Sequence, residues 1–367
     1  MPYPSAPATS LGPELPEREL PEVWAEQTAR GELPQASQAF AGFGRANRLD
    51  IEKLGVVARA LVKVKLEAET TDEAAGETIP APGAPWSILE AIELQANGVS
   101  GVIQCSGTLL ECRERIVYRT PVHAVLSDAH SEPGVSTPVK TAFIWELIYE
   151  VPIAEDLTDL EGVVLAQSEQ TALSLRLQWA TEGEMFTTLT HPLAKATGEV
   201  AWQITWFSIG TYQEGKRTVI ALPDLQTLHG LVERSTPLVA EGNQEAPLTP
   251  TAGDLLRYYI AAYNGYTSTF DPLAWVRWIL QYGGNQKPIV FEPASFLVEE
   301  NAKAYKERLD VNGVKYLILD TTLDDAIRDA IRPMMLSELK SIVGIPSAPA
   351  ANSRIVSAQE SLYPAAA

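Results

Sequence analysis

Val57-Ala58-Arg59-Ala60-Leu61-Val62-Lys63-Val64-Lys65-Leu66-Glu67 alternates between two kinds of side chain. Ala60, Val62, Val64 and Leu66 share one face, while Arg59, Lys63, Lys65 and Glu67 share the other. This two-residue period belongs to a strand with one buried face. A helix would scatter the same apolar residues around its circumference. Working outward, residues 88–95, 141–151, 173–179 and 199–211 read as further strands. Gly and Pro clusters separate them, notably Pro80-Ala81-Pro82-Gly83 and Glu132-Pro133-Gly134.

A second β-rich stretch follows Gly215, with strands expected at 218–222, 255–263, 275–281, 315–319 and 354–362. Two helices interrupt it. Ser295 caps a run through Leu309 that ends before Gly313. Asp320 or Thr321 opens another, with Leu323, Ile327 and Ile331 one turn apart and Pro333 as its stop. Many short strands joined by irregular loops predict a sandwich architecture, not alternating β-α-β units. The chain divides near residue 214 into two β-rich halves, without a visible sequence repeat between them.

Residues 1–45 are rich in Pro, Ala and Glu and read as an arm with short helices. Pro21 stands where a first helical residue is tolerated and Gly31 where a helix stops, and the pattern returns from Pro34 to Gly42. Trp24 and Phe40 are the candidate assembly contacts, because a docked arm needs apolar anchors; a frayed terminus is the alternative reading.

The 367 residues are 46% hydrophobic, enough to bury a sizeable core. Formal net charge is −19. Phosphate backbones repel such a chain, so direct nucleic-acid binding is not expected, nor is sustained attachment to an anionic lipid surface. No apolar run is long enough for a membrane-spanning helix, and the N-terminus lacks the pattern of a secretory signal. Cys105 and Cys112 are too few for a disulfide framework, which fits synthesis in a reducing cytoplasm.

Leads to chemistry fail on inspection. Gly210-Thr211-Tyr212-Gln213-Glu214-Gly215-Lys216 matches the start of a phosphate-binding loop. Arg217 then stands where Ser or Thr should meet magnesium, and a strand follows where a helix N-terminus is needed. Gly42-Phe43-Gly44-Arg45-Ala46-Asn47 misses the dinucleotide fingerprint at its last glycine. His123, His130, His191 and His229 are scattered and form no zinc-hydrolase pair, and the two cysteines read as small buried thiols. Trp179, Trp202 and Trp206 could stack on sugars, but aromatic core positions explain them better. With 47 acidic residues, carboxylate pairs have no discriminating power. No catalytic constellation, cofactor site or metal site emerges, so an enzyme is not expected; any bound ion is left undetermined.

Several segments resemble the tectivirus-type major capsid proteins, the double jelly-roll family of tailless icosahedral phages with an internal membrane. Ile148-Tyr149-Glu150-Val151-Pro152-Ile153-Ala154, with the acidic Leu-Thr turn and Gly162-Val163-Val164-Leu165-Ala166 that follow, is similar to a strand-to-loop segment of the first roll. Thr218 to Leu231, with Asp224-Leu225-Gln226-Thr227-Leu228, is similar to the opening of the second. Leu255-Leu256-Arg257-Tyr258-Tyr259 resembles one of its strands. Ala304-Tyr305-Lys306-Glu307-Arg308 with Gly313-Val314-Lys315-Tyr316 resembles a helix leading into another. Asn352-Ser353-Arg354-Ile355-Val356 resembles its last strand. These segments keep the family's order across roughly residues 57–362; residues 320–345 do not match cleanly.

The resemblance implies a mainly β chain of two fused jelly-roll sandwiches, with short helices in loops and an N-terminal arm. It implies an arm at 1–45, a first roll at 46–214 and a second at 215–364. The implied role is a major capsid protein forming homotrimeric, pseudo-hexameric capsomers around an internal viral membrane. Its partners would be neighbouring capsomers and vertex or minor capsid proteins. The competing readings are another virion protein, at a vertex or spike, and a carbohydrate-active β-sandwich.

Overall fold

The computed structural model describes residues 29–364, leaving out 71–77, 82, 119–123, 130–141, 156, 158–161, 168–171, 190–192, 215–216, 222–224, 226, 249–252, 264–276, 283–288, 306–309, 312–313, 322–338, 346 and 352. The strands that build its three large sheets begin with β1 (Arg30–Pro34), β2 (Ala46–Asp50), β3 (Val56–Thr70), β4 (Leu89–Ala96) and β5 (Val99–Cys105). Helix α1 (Gly107–Val117) follows, then β6 (Ala124–Ala129), β7 (Ala142–Pro152), β8 (Leu173–Trp179) and β9 (Leu193–Phe207). The later part supplies β10 (Thr227–Pro237), β11 (Gly242–Ala246), β12 (Asp254–Tyr263), β13 (Arg277–Tyr282) and β14 (Ile289–Phe291). After these come helix α2 (Ser295–Tyr305), β15 (Leu317–Asp320), β16 (Leu339–Ile345) and β17 (Arg354–Pro364).

One sheet runs β1-β9-β3-β7-β6. Its centre is the alternating strand of the sequence: Ala60, Val62, Val64 and Leu66 are fully buried, and Lys63 and Lys65 lie on the other face with Glu146 and Glu67 as partners. A second sheet of eight strands runs β15-β12-β17-β10-β5-β4-β8-β2 and draws strands from both halves of the chain. They meet at a parallel ladder of β10 on β5, Leu231 opposite Ile103 and Val232 opposite Gln104. The third sheet, β11-β16-β13-β14, comes wholly from the later half.

The two cores lie on opposite faces of the eight-stranded sheet. Every residue of β12 from Leu255 to Ala262 is buried. Tyr258, Ile260 and Ala262 join the core under the four-stranded sheet, with Trp278, Leu280 and Val343. Tyr259 and Ala261, pointing the other way, join the core that holds Leu109, Cys112, Trp145 and Trp179. Helix α1 is capped by Ser106 Oγ, which accepts from Leu109 N, and it lies between the halves.

Most of the expected strands form close to their expected places, and β8 and β12 do so almost residue for residue. Three expectations need correction. No helix forms between Pro34 and Gly42: β1 and the short strand Gln38–Ala39 pair with β9 instead, because the backbone groups along the edge of β9 give the arm a ladder to complete. The strand expected at 199–211 is two, β9 and Gly210–Glu214. The strand expected at 315–319 is broken at the buried Tyr316. The helix expected after Asp320 lies outside the described residues, and α2 is described only as far as Tyr305.

Candidate functional site

The densest concentration of chemistry-bearing side chains is buried where α1 crosses the inner face of the eight-stranded sheet. At its centre is Glu360 of β17, with no side-chain exposure. Arg113 of α1 donates from Nε to Glu360 Oε1 at 2.8 Å, and Tyr259 donates its hydroxyl to Oε2 at 2.6 Å. Arg257 of β12 brings Nη1 to 3.4 Å from the same carboxylate. Arg257 also reaches Glu155 Oε1 at 3.2 Å and Asp320 Oδ2 at 3.3 Å, and Tyr305 donates to Asp320 at 2.9 Å. His229 of β10 has Nδ1 3.0 Å from Pro152 O and Nε2 3.1 Å from Glu360 Oε1. Both partners are hydrogen-bond acceptors.

Burial penalises the Glu360 carboxylate, yet Arg113, Arg257 and His229 outweigh it and hold the group well below the usual carboxylate range. Burial likewise opposes the charge on Arg113, and Glu360 restores and strengthens it. Tyr259 is pushed up, first by burial and then by the neighbouring carboxylate. The cluster is therefore ionised and rigid. A Cβ at Gly162, whose φ is +83°, would lie 2.4 Å from the Cβ and backbone N of His229, so only glycine lets the chain pass that close to β10. Among the described residues Glu360, Arg113, Arg257, Tyr259 and His229 are all buried, while Glu155 and Asp320 at the rim keep some exposure.

A second carboxyl shows what α1 does for the sheet. The described ladder of β6 on β7 reaches Leu147, and Glu114 of α1 accepts from Glu150 N of β7 at 2.9 Å. Burial pushes the Glu114 carboxyl up to about 8, with Glu150 and Glu111 adding to the effect and the hydrogen bond from Glu150 N opposing it. A groove of about 450 Å³ opens between the halves, bordered by Glu90, Glu184, Glu233, Arg234 and Arg354. Two of its charged groups have partners: Glu233 accepts from Ser106 N, and Arg354 lies 4.5 Å over the ring of Tyr263.

The sequence leads fall in different places. Gly210–Glu214 and Arg217–Ala221 form an antiparallel hairpin, the wrong backbone for a phosphate loop. Cys105 and Cys112 are free and buried, and burial pushes both thiols up. Among the described residues no group of three or more His, Cys, Asp or Glu is placed to hold a metal ion. Trp179 and Trp202 are core residues, and Trp179 donates to Asn47 Oδ1 at 2.7 Å. His123, His130, His191 and Trp24 lie outside the described residues. Phe40 packs on its own chain, 4.6 Å from the ring of Trp179 and 5.2 Å from that of Phe43. Arg113, Arg257 and Glu360 were missed as a group. One signal was available: an Arg inside the apolar run Leu255-Leu256-Arg257-Tyr258-Tyr259 has to be paired if the strand is buried.

No family model matches the sequence, and no curated protein matches it. Solved structures do resemble it. The crystal structure of the STIV MCP superposes with a TM-score of 0.62 and 15% identity, over 92% of this chain and 97% of that one. The atomic structure of Sulfolobus Turreted Icosahedral Virus gives 0.62 and 13%, over 92% and 91%. The major capsid protein P2 from Bacteriophage PM2 gives 0.51 and 8%, over 92% and 98%. The likeness runs through both halves and nearly the whole of each chain. The fold is the double jelly roll.

Proposed function

We propose that this chain is the major capsid protein of an icosahedral virus, a structural tile with no catalytic role. The observation that carries the reading is the double jelly roll itself, matched over 92% of this chain by the STIV MCP and by the major capsid protein P2 of bacteriophage PM2. The buried charge cluster agrees with it, since a tile needs rigidity. We place the boundary between the rolls near residue 214. Each chain then offers two similar blocks, so a homotrimer presents six, a pseudo-sixfold outline from threefold symmetry. Neighbouring capsomers, vertex or minor capsid proteins and an internal viral membrane are the partners. With a net charge of −19, contact with the membrane side runs through apolar residues and not through lipid headgroup charge.

Light scattering on purified protein should give three times 39.9 kDa, stable to dilution, and the chain should dominate a gel of purified virions. A dilution-stable monomer that never enters particles would overturn the proposal.

A further inference from the structure

We propose that the Glu360-centred cluster is the lock that sets the angle between the two jelly rolls. The hydrogen-bonded ladder that joins the rolls is short, just Leu231 on Ile103 and Val232 on Gln104. Beside it stand one hydrogen bond from Ser106 N to the Glu233 carboxylate and apolar packing beneath α1, and apolar packing attracts without fixing direction. The charged groups supply the missing directionality, and they do so reciprocally. Arg113 reaches from the first roll to Glu360 of the second, while Arg257 reaches from the second to Glu155 of the first. His229 ties the second roll to the Pro152 carbonyl of the first, while within the first roll Arg113 Nη2 also donates to Glu155 O at 3.3 Å.

The bonds that cross the junction are between 2.8 and 3.2 Å long and the central groups are fully buried, so a small rotation between the rolls would break several at once. Arg113 would then be left buried without its carboxylate partner. A wrong angle is therefore heavily penalised, whereas an apolar interface of the same volume would tolerate a range of angles. Asp320 and Tyr305 hold Arg257 from its far side, so the lock is anchored within the second roll as well as across the junction. In a shell, the angle between the rolls fixes the outline of each tile.

The test is a distance measurement on the soluble full-length chain. Spin labels go on Arg48→Cys in the first roll and Lys303→Cys in the second, both exposed, while native Cys105 and Cys112 are buried. A control pair within the first roll uses Arg48→Cys and Lys65→Cys. The variant is Arg113→Met with Glu360→Leu, which removes one charge of each sign together and keeps the volume filled. Expected is a narrow inter-roll distance in the parent and a distribution about twofold broader in the variant, with the control pair unchanged. An inter-roll distance as narrow as the parent's would overturn the proposal. So would equal broadening of the control pair, because the cluster would then be a general stability element. Assembly tests the capsid reading separately. If the parent forms no shells, that reading fails while the distance result stands. If both rest on firm ground, the variant yields irregular shells.

Discussion

Replacing Glu114 by Gln should stabilise the protein in alkaline solution and leave it nearly unchanged in mild acid. The carboxyl is displaced from 4.5 to about 8 because burial, and then the Glu150 and Glu111 carboxylates, disfavour its charge. Between those two values the folded chain holds a proton that the unfolded chain has released, so stability falls as pH rises through that window. A displacement of this size corresponds to at most ~5 kcal/mol. Residual solvent at the end of α1 brings the expected gain above the window to about 2–3 kcal/mol. Gln keeps the oxygen that accepts from Glu150 N, so that hydrogen bond is kept in both forms. Urea unfolding of parent and variant near pH 5 should agree within about 1 kcal/mol, and the variant should lead clearly near pH 9. An equal difference at both pH values, or a less stable variant at pH 9, would refute the reasoning.

Glu360→Gln should destabilise by about 3–5 kcal/mol at neutral pH, since it leaves two guanidiniums around a neutral group. Because the Glu360 carboxyl is held below its unfolded value, the difference from parent should shrink as strong acid protonates the parent's own carboxyl, and a gap that stays constant into acid would contradict this. Asn301→Leu should cost about 2–4 kcal/mol and lower the temperature at which aggregation begins, because the Asn301 amide both donates to Ile318 O and accepts from Ile318 N, each at 2.8 Å. Unchanged aggregation would mean that the edge is covered by something else. Deleting residues 1–29 should leave the melting temperature unchanged but impair shell assembly. Deleting 1–45 should destabilise the first roll as well, because it strips β1 from β9 and Phe40 from Trp179; equal melting of the two truncations would count against that.

How far the sequence could be read depended on whether local pattern and tertiary demand agreed. They agree in β3, where alternation alone marks the buried face, and in β8. In β17 they do not. Arg354 to Leu362 carries modest apolar content on either face, yet the strand is central, flanked by β10 and β12, and Ser357, Gln359, Glu360 and Ser361 are all buried. Only resemblance to known proteins placed it, because polar residues on a doubly buried strand give no period to detect. Helix α1 went unread although Ser106 caps it and Leu109, Cys112, Arg113 and Ile116 follow at helical spacing; Arg113 is buried on that face and Glu111 on the opposite one, which blurs the stripe. The cluster at Glu360 was beyond sequence reasoning for a similar cause. Its members come from α1, the turn after β7, and β10, β12, β15 and β17, and no spacing rule links positions so far apart.

The same molecule shows how a chain of many strands avoids joining its copies in the wrong way. An open strand edge is a template for another strand. β15 is closed by Asn301, whose amide mimics a neighbouring strand at Ile318. On β7, Glu114 accepts from Glu150 N. On β2, Gln38 donates to the outward carbonyl of Arg48. β1 ends on Pro34, which has no N–H to offer. Each device is a single side chain or ring, set against backbone groups that point away from the sheet. At these four points a second strand finds the outward backbone groups already occupied or absent, which disfavours a backbone ladder there.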